Sequence, residues 1–228
     1  MSKLPGWVEF GAFVLVFIAG MINTVGLLGF QHQAISHITG TVALLSVALI
    51  SQDAAVLLHL LLIVLAFMSG AALSGFIIQN ATLKLGRRYG IALLLEAIML
   101  GLALIALVHN SDSGHLFASA ACGLQNAMVS TFSGAVIRTT HLTGVVTDLG
   151  AIFGSWLRGN PIDYRKVTMF LILITGFSCG AAAGAMMFRS LNYYSLLVHI
   201  ILTSLLSLTY WLYWYKHRAE SNSSTTAD

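Results

Sequence analysis

Two short polar strings, Ser36-His37-Ile38-Thr39-Gly40-Thr41 and Thr140-His141-Leu142-Thr143-Gly144-Val145, repeat one pattern about a hundred residues apart. Each sets a histidine, a hydroxyl and a glycine inside apolar sequence, a mixture that breaks a helix and offers polar groups to a solute. Imidazole can hold a guest or carry a proton, because its reference pKa lies near neutrality. The hydroxyls of Thr39 and Thr143 suit a helix N-cap or a polar ligand. Free N–H groups at a helix start favour an anionic or strongly hydrogen-bonding guest. Matching breaks in two halves of a membrane chain point to a binding site between inverted repeats. The competing use is structural, since any break in lipid must satisfy its own backbone.

Other polar residues stand close to these breaks or deep in apolar sequence. Asn23, Gln125 and Asn126 precede the two strings and can pair with freed backbone or line a solute path. Glu96 and His199 fall at similar depth in the third helix of each half. A charged glutamate there costs about 2.5–3.5 kcal/mol on insertion scales, so it must be protonated, paired or facing water. Proton coupling is one use for that pair, and a hydrogen bond between helices is the other. Asp148 follows the second break, where a carboxylate suits a helix start but opposes an anionic guest. His59, near the outer end of the second helix, is expected among lipid headgroups.

The elements that must position these groups follow from composition. The 228 residues are 57% hydrophobic and 8% charged, with a mean hydropathy of +0.87. Soluble domains carry about 25% charged residues, so lipid is the solvent here. A net charge of +3, from 11 Lys and Arg against 8 Asp and Glu, gives no footprint for nucleic acid. Cys122 and Cys179 lie inside apolar runs, without metal-ligand or disulfide-framework spacing, and are expected to be buried packing thiols. The long apolar stretch after Lys3 exceeds a signal-peptide core and is expected to stay as the first span. No cofactor or metal is expected.

Six segments reach spanning length, at about residues 7–29, 54–80, 89–109, 115–136, 167–188 and 193–215. Two shorter apolar pieces, about 40–51 and 144–157, are half-helices or, if extended, full spans. The basic residues discriminate. If the short pieces do not cross, Lys3, Lys84, Arg87, Arg88, Arg138, Arg158, Arg165, Lys166, Lys216 and Arg218 share one side and Arg189 alone takes the other, ten against one. If both cross, the division is six against five. The positive-inside bias therefore predicts six spans with both termini cytoplasmic. The expected fold is all-α and membrane-embedded, a 3+3 inverted repeat with a broken helix at each His-x-Thr-Gly string. Repeat one covers about residues 7–109, repeat two about 115–215, and residues 219–228 form a polar tail expected to be disordered.

The repeat extends beyond the strings. Gly20-x-x-Asn23 precedes the first, as Gly123-x-x-Asn126 precedes the second. Ala66, Gly70 and Ser74 recur as Gly176, Gly180 and Gly184, with Phe67 and Phe177 in the same register. Four-residue spacing puts the small residues on one face, where backbones can approach closely. Trp211, Tyr213, Trp214 and Tyr215 are expected in an interfacial aromatic belt.

At Ser36-His-Ile-Thr-Gly-Thr41, Gly123-Leu-Gln-Asn126 and Arg138-Thr-Thr-His-Leu-Thr-Gly144 the chain resembles the YoaK-like membrane proteins, the DUF1275 or UPF0700 family. The resemblance spans nearly the whole chain and implies a bacterial multi-pass inner-membrane protein. Family members typically carry an aspartate near the end of the first span and Thr-Gly-Asn in the first string; Asn23 and Thr41 stand there in this chain.

These readings lead to a secondary transporter or permease for a small polar solute, anions included, held at the midplane by His37, Thr39, Gly40, Thr41, His141, Thr143, Gly144, Asn23, Gln125 and Asn126. Glu96, His199 and Asp148 are the proton-coupling candidates. A passive channel is the nearest alternative, and a membrane enzyme or a non-transporting scaffold the remaining ones. The expected partners are the bilayer and the solute, with self-association left open.

Overall fold

The computed structural model describes residues 6–29, 35–78, 87–132 and 139–225, and every regular element among them is helical. In chain order these are α1 (Gly6–Gly29), α2 (Ile38–Ile50), α3 (Ala54–Ile77), α4 (Arg87–Val108), α5 (Ser113–Phe132), α6 (Leu142–Leu157), α7 (Tyr164–Leu191) and α8 (Leu196–Thr225). A 3-10 turn, Asn192–Ser195, joins the last two. Among the described residues four stretches are long and apolar enough to cross a bilayer: Glu9–Gly29, Ala54–Ile77, Arg87–Val108 and Tyr164–Lys216, the last covering α7 and most of α8. This is a membrane protein. The helix α5 is not among those stretches, because Ser119, Gln125 and Asn126 lower its hydropathy. It lies against α3 and α4, and Ser119 and Gln125 are buried there.

The outer face of the bundle is apolar, unlike that of a water-soluble one. Leu61, Leu65 and Met68 of α3 are exposed, as are Leu94, Ile98, Leu102 and Ile105 of α4 and Ile201, Leu205 and Leu208 of α8. The interior combines an apolar core, with Ile18, Ile22, Leu100, Leu124 and Leu173 among its members, and the polar side chains of Asn23, Thr41, Ser74, Glu96, Ser119, Gln125, His199, Thr203 and Ser207. In lipid the outer face needs no polar cover, and polar side chains are satisfied only by other helices.

The chain crosses over itself as it packs. The long helix α1 lies on α7, and α3 on α5, so each half's first helix pairs with the other half's third element. A Cβ on Gly20 would strike the Phe177 carbonyl, and one on Gly180 the Phe17 carbonyl. Likewise Gly123 meets the Phe67 carbonyl and Gly70 meets Ala120. The small-residue faces are therefore packing surfaces that bring backbones into contact. Both pairs run parallel. Along one, His59, Ile63 and Phe67 meet His115, Ser119 and Gly123 in turn. Along the other, Phe13, Phe17 and Met21 meet Gly176, Gly180 and Gly184. In contrast α4 and α8 are antiparallel, since Gly90 lies by Ser207 and Trp211 while Leu100 clusters with Leu196.

These directions gather charge at one end of the bundle. Arg87 stacks over Trp211 and Trp214, at 5.3 and 5.9 Å from the ring centroids. The start of α7, with Arg165 and Lys166, lies level with the start of α1 at that end, and Arg189 closes α7 at the other. Lys3, Lys84 and Arg138 lie outside the described residues.

Some expectations shift. Cys122 is buried, but Cys179 is exposed on α7 because that helix turns it away from α1. The last helix continues to Thr225, through most of the segment expected to be disordered, because extending an existing helix costs far less than starting one. Both α3 and α7 begin on an aspartate cap: Asp53 accepts from the Val56 N–H and Asp163 from the Lys166 N–H, each at 3.1 Å. These caps are a further matching pair.

Candidate functional site

Each break is tied to the preceding helix by an asparagine. Near the end of α1, Asn23 donates to the Ala19 carbonyl at 3.0 Å, which fixes its amide. Its Oδ1 then accepts from the Ser36 hydroxyl at 2.6 Å and the Ser36 N–H at 3.4 Å. In the second half Asn126 Oδ1 accepts from the Thr139 hydroxyl at 3.4 Å, again across thirteen positions. The matching hydroxyl is thus Thr139, one residue earlier than alignment on the histidines predicts.

Beyond each clamp a short helix starts. His37 precedes α2 and His141 precedes α6, neither making a side-chain cap bond. Thr39 and Thr143 therefore do not cap these helices: they sit in the first turn, since helical geometry begins at Ile38 and Leu142. Thr41 is buried and its hydroxyl donates to the His37 carbonyl at 3.2 Å. The His141 ring lies directly over Gly144, where a Cβ would collide with it. Asp148 is six residues into α6 and exposed, past the single turn over which a helix dipole acts on a charge.

The candidate residues fall into three environments. Asn23, Thr41 and Gln125 are buried, with Asn126 and Gly144 half-buried beside them in sequence. His37, Thr39, Gly40, His141 and Thr143 are exposed at the helix starts. Glu96 and His199 form a separate interior region on α4 and α8. The two short helices do not touch: α2 packs on α3 and α6 on α7. Any solute contacting both would have to bridge the space between them.

Hydrogen bonding in the interior is incomplete. Both carboxyl oxygens of Glu96, Nε2 of Gln125, Nε2 of His199 and Oγ of Ser74 have no hydrogen-bond partner among the described residues. Native interiors leave few such groups, and each calls for a partner such as water or ligand. His199 holds the Ser195 carbonyl through Nδ1 at 3.1 Å, which leaves its other nitrogen available.

Two features escaped the sequence reading. His59 and His115 meet, Nε2 to Nδ1, at 2.9 Å across α3 and α5. His59 is thus bound to another helix as well as lying near the bundle end. Ser119 donates to the Ile63 carbonyl at 3.0 Å and reaches the Ile35 carbonyl at 3.5 Å, which anchors the first break to α5. Pairs separated by 56 or 84 positions leave no local pattern in sequence. No three His, Cys, Asp or Glu side chains converge among the described residues.

No similar curated protein or solved structure was found. The family model described as "Protein of unknown function (DUF1275)" matches residues 11–209, which covers all the helices up to the middle of α8 and both breaks. The chain belongs to the DUF1275 family.

Proposed function

We propose that this protein is a secondary transporter or permease for a small polar solute, built as a 3+3 inverted repeat whose two broken helices supply the binding groups. The observation that carries the reading is the pair of asparagine clamps, Asn23 to Ser36 and Asn126 to Thr139, placed alike in the two halves. Each holds the chain just before a short helix whose N–H groups are available to a guest. Asn23, Thr41, Gln125 and Asn126 supply the inner polar wall, and His37, Thr39, Gly40, His141, Thr143 and Gly144 the helix starts.

Helix directions support six crossings. Parallel α1 and α7, parallel α3 and α5, and antiparallel α4 and α8 agree when α2 and α6 do not cross. If both crossed, α4 and α8 would run the same way. If one crossed, α1 and α7 would be opposed. The first short helix, at 13 residues, spans about 20 Å, well under a full bilayer core. With both termini cytoplasmic, the Arg87, Arg88, Arg165 and Lys166 end faces the cytoplasm of a bacterial inner membrane. Labelling of cysteines substituted at Arg87 and Arg165 should report one side, and opposite sides would remove the repeat.

Binding is tested by a thermal-shift screen of polar metabolites on purified protein, repeated on a His37→Ala/His141→Ala variant. A compound that stabilises only the unaltered protein, and then shows counterflow in proteoliposomes, identifies solute and site together. If counterflow never saturates with concentration, the channel reading replaces the transporter. If a retained phenotype accompanies the double variant, the breaks are scaffold rather than site.

A further inference from the structure

A buried polar stripe runs from the 3-10 turn along α8. Ser195, His199, Thr203 and Ser207 recur every four residues and are all buried, while Leu197, Ile201, Leu205 and Leu208 face outward. The polar face lies against α4, where the Ser207 hydroxyl donates to the Gly90 carbonyl at 2.7 Å. Counting helix rise from that contact in antiparallel helices, Glu96 stands about 9 Å along α4, between the levels of Thr203 at about 6 Å and His199 at about 12 Å along α8. Two fully buried ionisable side chains therefore approach one level from neighbouring helices, and both keep unpartnered polar atoms.

Packing alone does not call for this arrangement. A structural glutamate in lipid would be tied down by donors, as Asn23 is tied to Ser36. Glu96 instead has both oxygens open. The hydroxyls of the stripe are all committed to backbone carbonyls, Ser207 to Gly90 of α4, Thr203 to His199 at 2.8 Å and Ser195 to Asn192 at 2.7 Å. They leave Glu96 and His199 as the groups able to exchange a proton.

We propose that the α4–α8 seam is a proton path, with Glu96 and His199 as its two stations. This deepens the transport reading and rests on it, naming the proton as the coupling ion. A proton enters one station from water at one end of the seam, breaking its bond to a water oxygen as an O–H or N–H bond forms. It passes between the stations through the Thr203 hydroxyl or a bridging water and leaves to water at the other end, so each station returns to its starting state. The titratable neighbours are few. Cys122 of α5 lies within electrostatic reach of Glu96. On α4 and α8 themselves stand Tyr89 and Tyr210, with Arg87 at the seam's end. From α1 the backbone of Met21 lies beside the His199 ring. Asp148, exposed on α6, has no part in the path.

Infrared difference spectroscopy across a pH step, on purified protein in lipid without any solute, tests this directly. The expected result is a protonated-carboxyl signal that responds to pH, vanishes in Glu96→Gln and moves its midpoint in His199→Asn. A signal that ignores pH, or a pH response unchanged in Glu96→Gln, overturns the proposal. If Glu96→Gln does not fold, Glu96→Asp keeps a carboxyl one methylene shorter. The responsive band must then change frequency, and an unchanged band overturns the assignment. Because no solute is present, a silent spectrum removes the path and leaves the solute-binding reading to its own screen.

Discussion

The two breaks share one device and are held to different degrees. In the first, the Asn23 to Ser36 bond is 2.6 Å and buried, Ser119 of α5 reaches the Ile35 carbonyl, and α2 buries Thr41 and Ala48. In the second, Asn126 is half-buried, its bond to Thr139 is 3.4 Å, and α6 buries Val145 alone. The position that matches Ser119 by the spacing of Gly20 and Gly123 is Val16, which has no hydroxyl to give. Among the described residues, one wall of the proposed site is thus more firmly held than the other, although Thr139 of the second clamp is itself buried. A transporter needs such an inequality, because the element that opens must be drawn from the less stable part of the fold.

The comparison can be broken or sharpened at several points. The helix crossings match even though the breaks do not, so Gly20→Val and Gly123→Val should be equally damaging. Each forces a side chain into a backbone carbonyl, and the loss should reach or exceed the about 1–3 kcal/mol typical of overpacking. Size-exclusion profiles and thermal unfolding in detergent would show it, and a tolerated Gly20→Val would mean the crossings are not alike. The clamps should differ. Asn23→Ala strands a buried Ser36 that it holds at 2.6 Å and should cost about 1–3 kcal/mol, whereas Asn126→Ala, which loses a longer 3.4 Å bond to the buried Thr139, should cost less, about 1 kcal/mol. Hydrogen exchange should find α6 amides opening at least about tenfold more readily than those of α2, a gap of about 1.4 kcal/mol in local stability. Equal rates would erase the distinction.

Smaller effects bear on what anchors the first half. Ser119→Ala should lower stability by about 1 kcal/mol and speed exchange in α2 without touching α6. A double-mutant cycle on His59→Ala and His115→Ala should give a coupling of about 0.6 kcal/mol, typical for polar pairs between membrane helices. The matching positions on the other crossing, Met169 and Ala12, carry no such pair, so their cycle should give none.

Much of the architecture was legible in the chain. Small residues four apart marked both crossings, and the repeat of Gly20-x-x-Asn23 at Gly123 marked both clamps. The caps Asp53 and Asp163 keep the same spacing as Gly70 and Gly180 and could have been read the same way. What could not be read was any pairing between distant residues. His59 with His115 and Ser119 with Ile35 depend on which helices lie side by side. Local polarity also misplaced the caps at Thr39 and Thr143, since the exact start of a short helix is set by the clamp that precedes it.

The sequence by itself determined that the chain lives in lipid, that it is helical, and that it says the same thing twice. Those properties follow from solvent preference and from the period of side chains along a helix, both local. Only the tertiary structure decided that the helices of the two halves interlock, that α2 buries more of itself than α6, and that Glu96 and His199 come to one level of the interior. Packing between helices is chosen by shape at long range, and in lipid no hydrophobic force orders that choice beforehand.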